Sequence, residues 1–364
     1  MPEEGVIPVV TLTRQVPGSG SSAPEPGEPW ALGVDLGGTK VLVAAVSAGG
    51  EVGRRVRCPT EVEAGAEAIQ EEITRAARTL LDEAATSPVG LGAAVAGQIE
   101  AGTGVVSFSP NLDWRDVPLQ EGLSRALALP AVVVNDVRAA AWGEWLHGAG
   151  RGTDDLICMF VGTGVGGGIV SGGRMVEGCA NTAGEIGHLT VLMDGPECHC
   201  RNRGCLEALA GGWAIARDAQ AAVASGAEES RLLLELAGGD RHQITARTVV
   251  EAFRKGDPLA GRLIERVIEA LAAGIVGLVN AFNPCRIIMG GGVVEGLPEL
   301  VERVRPKVEE RALRAATVGL EIVPAQLHGD AGVVGGAALA LRMFGEHGLN
   351  RSDVEVGDAE GGTV

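Results

Sequence analysis

Basic residues are scarce in this chain of 364 residues, in which 30 lysines and arginines face 47 acidic residues. No run of basic residues occurs, and a formal net charge of −17 repels phosphodiester backbones and anionic lipids. We therefore expect neither nucleic acid nor a membrane as a partner. An anionic ligand would have to be held locally, by backbone N–H groups, helix N-termini or a metal ion.

The sequence also lacks a long apolar run and a secretory signal. No stretch approaches the roughly 20 apolar residues that a membrane-spanning helix needs. The first ten residues, MPEEGVIPVV, open with acids rather than with a basic and then apolar segment. Seven cysteines, an odd number, favour a reducing compartment. We therefore expect a cytoplasmic protein.

Glycine, in contrast, is abundant. The 56 glycines amount to about twice the usual share of roughly 7%, and they form clusters that follow apolar runs. Such clusters are typical of turns that approach a ligand closely, because glycine has no Cβ to keep the ligand away. The chain is long enough for two domains or for one large bilobal domain.

Strands and helices alternate in the middle of the chain. The segments 31–46 and 155–170 both follow the order strand, glycine turn, strand, and each precedes further strands and helices. This internal similarity predicts a duplicated α/β lobe with a cleft between the two copies.

We expect four parts along the chain, because composition changes sharply at both ends. A leader rich in Pro, Gly, Ser and Glu comes first and an acidic tail comes last, and neither shows periodicity. The predicted ranges are 1–29 for a flexible leader, 30–134 plus 333–345 for a small lobe, 135–332 for a large lobe with a cysteine-rich loop at 188–205, and 346–364 for a disordered tail.

Three glycine turns are predicted to follow apolar strands. In the first, DLGGTK, backbone amides can approach a phosphate, Thr39 adds a hydroxyl, and Asp35 suits a hydrated Mg²⁺. The second, GTGVGGG at 162–168, is neither a Walker loop nor a Rossmann fingerprint, since a strand follows it. The third, at 290–292, suits a flat nucleoside. An ordinary hairpin turn explains any one of them alone, but three in a duplicated lobe favour a bound nucleotide. The predicted contacts are Asp35, Gly37, Gly38, Thr39, Lys40, Gly162, Thr163, Gly164, Gly290, Gly291 and Gly292.

Two polar segments beside strands carry candidate substrate contacts. Asn135 and Asp136 follow the apolar strand AVVV and precede a helix. A carboxylate at that place can accept the proton of an attacking hydroxyl, although Asn or Asp before a helix is also a common N-cap. Asn111, in the loop SPNLDW, can bind sugar hydroxyls, and a Pro-Asn turn is the alternative.

A cluster of cysteine and histidine predicts a metal site. The segment CHCRNRGC holds three thiols at positions 198, 200 and 205, and His188 lies upstream. One imidazole and three thiolates form a closed tetrahedral zinc site, which is structural because no coordination position stays open. His199 is a competing ligand, and a set of unbonded thiols is the alternative. With one ring nitrogen on zinc, His188 keeps the other as a donor toward a sugar oxygen.

Taken together, these motifs resemble the ROK family (repressors, open reading frames, kinases), and within it the glucokinase-like enzymes. The similarity covers about residues 30–345 and rests on DLGGTK, Asn135-Asp136, GTGVGGG, AGEIGH, CHCRNRGCLE and IIMGGG, in that order. It implies an actin-like ATPase fold of the ribonuclease H-like type, with two lobes that close on substrate. ATP and Mg²⁺ as cofactors, a hexose as substrate and a homodimer are implied as well.

The resemblance also assigns roles to single residues. Asp136 falls on the family's catalytic base, and the structural Zn²⁺ ligands fall on His188, Cys198, Cys200 and Cys205. Sugar contacts fall on Asn111, Asn135, Glu185, His188 and Glu207. The chain departs from the family pattern at Arg201, where glycine is expected, and at Gln98, in a segment that often reads PGP.

Three functions are compatible with these motifs. An ATP-dependent hexose kinase is the leading one, with glucose first and N-acetylmannosamine, fructose or another hexose as alternatives. A sugar-responsive repressor of the same family would carry a helix-turn-helix before the first glycine turn, where this sequence has about 30 Pro/Gly-rich residues. A polyphosphate-dependent kinase is ranked low, because such relatives usually lack the zinc cluster.

Overall fold

The structure is a computed structural model that describes residues 28–226 and 231–345. The predicted tail, and all but the last two residues of the predicted leader, lie outside the described ranges. Among the described residues, none of the helices has the length and apolar content needed to cross a bilayer.

The first of two large sheets is built mainly from the N-terminal part of the chain. Its strand order is β3-β2-β1-β4-β8, with β1–β2 and β2–β3 antiparallel and β1–β4 and β4–β8 parallel. The strands are short apolar runs that are buried except at one edge. They are β1 (Trp30–Leu36), β2 (Lys40–Ser47), β3 (Val52–Pro59), β4 (Leu91–Val95) and β8 (Ala131–Asn135).

The second large sheet repeats this arrangement. Its order is β11-β10-β9-β12-β13, with an antiparallel hairpin on one side and parallel partners on the other. The predicted duplicated α/β fold is therefore confirmed. The strands are β9 (Leu156–Val161), β10 (Val165–Ser171), β11 (Arg174–Met175), β12 (Arg286–Gly290) and β13 (Glu321–Pro324). A small antiparallel sheet comprises β5 (Gln98–Ile99), β6 (Val106–Ser109) and β7 (Trp114–Val117).

Helices cover both large sheets. The amphipathic α1 turns Ile69, Ile73 and Leu80 inward, as its apolar spacing predicts. The longest helix, α8, begins where Asp257 accepts a hydrogen bond from the Ala260 amide at 2.8 Å. The helices are α1 (Gly65–Asp82), α2 (Leu119–Leu127), α3 (Asp136–His147), α4 (Glu207–Ala210), α5 (Gly212–Ala224), α6 (Arg231–Leu236), α7 (Ala246–Arg254), α8 (Pro258–Phe282), α9 (Gly292–Gly296), α10 (Glu299–Arg311) and α11 (Ala331–Phe344).

Each large sheet has its own hydrophobic core, and α3 and α11 lie between the two sheets. The C-terminal helix α11 packs closely on the first sheet, because β1 and β4 carry glycine where the helix crosses them. A Cβ on Gly33 would lie 2.1 Å from the Val333 carbonyl oxygen, and one on Gly92 would lie 1.8 Å from that of Gly336. Glycine at these two positions therefore allows the helix backbone to touch the strands.

The predicted glycine turn at 162–168 is shorter than expected. Strand β10 already begins at Val165, so only residues 162–164 form the turn. Gly166 and Gly168 serve the packing of α3, because a Cβ on Gly166 would lie 2.8 Å from Val137 Cγ2 and one on Gly168 would lie 2.4 Å from Ala141 Cβ. The sequence pattern did not distinguish a glycine that approaches a ligand from one that admits a helix.

Candidate active site

Two carboxyl groups mark the edge where the parallel strands of the first sheet end. Asp35 is the sixth residue of β1, and Asp136 is the first residue of α3, directly after β8. Burial, and then the negative charge of Asp136, raise the pKa of Asp35 to about 6, while Lys40 acts in the opposite direction. The structure therefore brings these two predicted site residues into one electrostatic environment.

Asp136 is partly buried, and several neighbouring groups shift the pKa of its carboxyl group. Burial raises its pKa above the ordinary value, hydrogen bonds from the Val137 amide, its own amide and the Asn135 side chain lower it, and the charge of Glu185 raises it again. A raised pKa makes a carboxylate a stronger proton acceptor. The arrangement suits a general base, provided that the group is ionised at the working pH.

Asn135, and not Asp136, is the N-cap of α3. Its side-chain oxygen accepts the Arg138 amide at 3.1 Å, which makes Asn135 the N-cap of α3. Its Nδ2 donates to the Gly97 carbonyl at 3.1 Å and to Asp136 Oδ1 at 3.0 Å. The capping alternative is thus correct for Asn135, and the Asp136 carboxyl group accepts a hydrogen bond from the Asn135 side chain instead of capping the helix.

The first glycine turn lies against the predicted sugar loop. The turn closes by a hydrogen bond from the Gly37 amide to the Lys40 carbonyl at 3.1 Å, and Thr39 and Lys40 are exposed. A Cβ on Gly38 would lie 2.8 Å from the Asn111 carbonyl oxygen. Glycine at position 38 is therefore what allows Asn111 to sit beside the predicted phosphate contacts.

The second and third glycine turns are neighbours at the matching edge of the second sheet. Strands β9 and β12 are parallel, with Gly290 opposite Phe160, so the two turns leave the sheet side by side. Gly291 has a φ of 89°, and a Cβ there would lie 2.6 Å from the Val161 carbonyl oxygen. Only glycine fits that backbone without strain. The predicted contacts at 162–164 and 290–292 thus lie close together.

Glu207, predicted to touch the sugar, bonds protein groups in this structure. Its carboxylate accepts the Val165 amide at 2.9 Å and Trp213 Nε1 at 3.2 Å. The same region braces the second turn, since the amides of Gly212 and Trp213 donate to the carbonyls of Gly162 and Thr163. The contact of Glu207 with a sugar stays a prediction.

The four predicted zinc ligands converge. The ligand atoms of His188, Cys198, Cys200 and Cys205 all lie within 4.8 Å of one another. Cys200 and Cys205 Sγ are 3.6 Å apart, close to the roughly 3.8 Å edge of a tetrahedron with zinc–sulfur bonds of about 2.3 Å. The donor set and its spacing therefore fit a zinc ion.

The structure separates His199 from that cluster. Its ring stacks on Trp213 at a centroid distance of 4.1 Å, so it does not compete for the metal. His188 Nδ1 faces Cys198 Sγ at 3.8 Å, which leaves Nε2 pointing away from the thiols. Arg201, where the family pattern has glycine, adopts a φ of 72°. A left-handed backbone at this position explains why glycine is suited to it.

Sequence reasoning missed two buried charged residues on α3. Arg138 is 8% exposed and binds the segment 181–183, and Glu144 is fully buried. The Glu144 carboxylate accepts the amides of Ala149 at 2.8 Å, Gln326 at 2.9 Å and Leu327 at 2.7 Å. The signal in the sequence was that both charges interrupt a largely apolar run in this helix.

Comparison with known proteins agrees with the geometry. The family model described as "ROK family" matches residues 31–343. The chain is 36% identical over 319 residues to the glucokinase of Halalkalibacterium halodurans, covering 86% of this chain and 96% of that one. It is 33% identical over 313 residues to the N-acetylmannosamine kinase of Escherichia coli O9:H4, covering 85% and 97%.

A solved structure is similar over nearly the same range. It is a ROK family glucokinase from Streptomyces griseus in complex with glucose and AMPPNP. The sequence identity is 34%, the TM-score is 0.73, and the alignment covers 86% of this chain and 99% of that one.

Proposed function

The chain belongs to the ROK family, and from that premise we propose that it is an ATP-dependent hexose kinase with glucose as its sugar substrate. The observation that carries the proposal is the meeting of Asp35 and Asp136 at one sheet edge, beside a glycine turn that touches Asn111. Glucokinases at 33–36% identity over most of the chain support this choice of sugar.

In the proposed reaction Asp136 is the general base. Its carboxylate takes the proton of the sugar 6-hydroxyl as that oxygen attacks the γ-phosphorus of ATP. The bond between the γ-phosphorus and the bridging oxygen breaks, and ADP leaves with the electron pair. Asn135 fixes the carboxyl group by donating to Oδ1, and capping of α3 fixes Asn135 in turn.

The phosphates would be held by backbone groups, because the chain has few basic residues to offer. The turns at 37–40 and 162–164 supply N–H groups without side chains in the way, and the turn at 290–292 suits the nucleoside. Asp35 would hold a hydrated Mg²⁺, since its carboxyl group lies near a second carboxyl group and needs a compensating cation. That ion, when bound, neutralises charge on the transferring phosphate.

Asn111, Asn135, Glu185, His188 and Glu207 are the proposed sugar contacts. Zinc on His188, Cys198, Cys200 and Cys205 would be structural and would fix the tautomer of His188, so that Nε2 donates to a sugar oxygen. The two lobes are proposed as 30–134 with 333–345 and as 135–332. A cytoplasmic homodimer without nucleic-acid partners completes the proposal, and light scattering of the purified protein tests the dimer.

The decisive assay measures phosphorylation by purified protein with ATP and Mg²⁺ across hexoses and N-acetylhexosamines. Asp136→Asn is the test variant, and Asp82→Asn, an exposed aspartate at the end of α1, is the matched control. We expect turnover on glucose that survives in the control and is lost in Asp136→Asn. Turnover confined to N-acetylmannosamine would favour the activity named for the 33% relative. No turnover on any sugar by folded, zinc-loaded protein would refute the proposal and favour a sugar-binding regulator.

A further inference from the structure

Arg138 is a buried arginine beside the proposed base. It lies two residues after Asp136 in the first turn of α3 and is 8% exposed. Its backbone amide donates to the Asn135 side chain, so the cap fixes the backbone from which the Arg138 side chain extends. Arginine is seldom this buried unless its donors are satisfied, and its partners therefore define what it does.

The guanidinium group binds one loop with both terminal nitrogens. Nη1 donates to Asn181 Oδ1, and Nη2 donates to the carbonyl oxygens of Asn181 at 3.0 Å and Ala183 at 3.2 Å. Burial lowers the pKa of Arg138, whereas the charges of Glu177 and Glu185 act in the opposite direction. The loop between β11 and His188 is thus attached to α3 just before Glu185.

Asn181 extends this contact to the small antiparallel sheet. Its backbone is left-handed, with a φ of 56°, and its Nδ2 donates to the Ile99 carbonyl at 3.2 Å. Asn135 makes a parallel contact to Gly97. The side chains of Asn135 and Asn181 therefore bind the backbone on either side of Gln98. They join residues 97–99 to the start of α3 and to the 181–183 segment.

We propose that Arg138 is a positioning residue for sugar binding, which holds the 181–183 segment and thereby Glu185 against the helix that carries the base. This inference rests on the proposed function. Three acceptors arranged around one planar group require the fork of arginine, and the single ammonium of lysine cannot reach all three. Position rather than charge is therefore what Arg138 supplies.

A purely structural role for Arg138 makes a different prediction. If the residue only stabilised the fold, its replacement would lower the melting temperature and the active fraction and would leave the KM values for sugar and ATP unchanged. A positioning role raises the KM for the sugar selectively. Among the described residues, no hydrogen bond joins this loop to the turns at 162–164 and 290–292, which are the proposed nucleotide contacts.

The test compares Arg138→Lys with the matched control Arg174→Lys, an exposed arginine on β11. Asn181→Gly is the second variant, which keeps the left-handed backbone and removes the side chain. We expect Arg138→Lys to raise the sugar KM roughly ten- to a hundredfold, as lost charge-assisted hydrogen bonds do, with the ATP KM within about twofold. Asn181→Gly should raise the sugar KM less than Arg138→Lys does, because Arg138 keeps the carbonyl oxygens of Asn181 and Ala183 as acceptors. The double variant should raise the sugar KM by less than the product of the two single increases.

Each result bears on one claim. An unchanged sugar KM in Arg138→Lys, or equal changes in both KM values, overturns this inference while the kinase activity stands. If Arg138→Lys does not fold, an unchanged sugar KM in Asn181→Gly overturns it instead. Absence of turnover by the wild-type protein refutes the proposed function, and the inference falls with it.

Discussion

Replacing Asp35 by asparagine should make the protein more stable while impairing its activity. The pKa of this carboxyl group is raised from 3.8 to about 6, first by burial and then by the charge of Asp136. The folded state therefore binds a proton more tightly than the unfolded state. Ionisation of Asp35 in the folded state therefore lowers the free energy of unfolding as the pH rises from about 4 to 6. At pH 7.5 this loss of stability is complete.

The size of that cost follows from the shift. About two pKa units correspond to ~3 kcal/mol, and because Asp35 keeps some contact with solvent we expect about 1 to 3 kcal/mol. Asparagine has nearly the same shape and no charge, so Asp35→Asn should gain this amount at pH 7.5. The gain should shrink toward zero near pH 4, where the wild-type carboxyl group is protonated.

Urea unfolding followed by circular dichroism, without a chelator and without added Mg²⁺, measures the difference in unfolding free energy at both pH values. Asp82→Asn is the control for removal of a negative charge and should change stability by less than about 0.5 kcal/mol. Added Mg²⁺ should stabilise the wild-type protein and not Asp35→Asn, because the ion binds the carboxylate and not the amide. The difference in unfolding free energy between the two proteins should therefore become smaller. An Asp35→Asn protein that is equally or less stable at pH 7.5 would refute the electrostatic reasoning.

Three further predictions concern the metal, the base and a glycine. Cys200→Ser should lose one bound zinc per chain by elemental analysis, together with stability, whereas Cys179→Ser, an exposed thiol outside the cluster, should lose neither. The acid limb of the pH profile of kcat/KM should have its midpoint above 3.8, since the raised pKa of Asp136 keeps the base protonated at low pH, and a midpoint at or below 3.8 would contradict this. Gly291→Ala should raise the ATP KM more than the sugar KM and should destabilise the fold by more than about 1 kcal/mol, because its Cβ would meet the Val161 carbonyl; the two KM values and a urea titration check this.

The fold was largely predictable because its signals are local. Apolar runs of strand length followed by glycine turns occur twice in the same order, and the two five-stranded sheets repeat the same pattern. The cap at Asn135 and the start of α8 at Asp257 were also readable, since each depends on residues three or fewer positions away. Asp35 and Asp136 lie close together because β1 and β8, both parallel to β4, end at the same edge of the first sheet. Asn111 lies instead in the loop between β6 and β7 of the small sheet, where its carbonyl oxygen packs against Gly38.

Glycine was the least informative residue despite its abundance. The sequence suggested that glycine clusters approach a ligand. For the turns at 37–38 and 290–292 this stays a prediction, because a Cβ on Gly38 or Gly291 would meet the carbonyl oxygen of Asn111 or Val161. Gly33, Gly92 and Gly166 instead admit helices, which become visible only when the partner is known. Two of those partners belong to α11, some 240 or more residues later in the chain.

The residues that sequence reasoning missed have partners far along the chain. Arg138 binds a loop 43 residues away, and Glu144 binds amides 182 and 183 residues away. An isolated charge in a largely apolar helix does not indicate which distant acceptor or donor will bind it. The helix that begins with Asp136, the proposed base, is nevertheless held at both ends by such contacts. Asn135 and Arg138 fix its first turn to residues 97 and 181–183, and Glu144 fixes its last turns to the segment that enters α11. Because a buried carboxylate that loses its N–H partners is costly, Glu144 holds α3 against that segment. The placement of this helix, which begins with Asp136, therefore depends on chain segments that no local motif reveals.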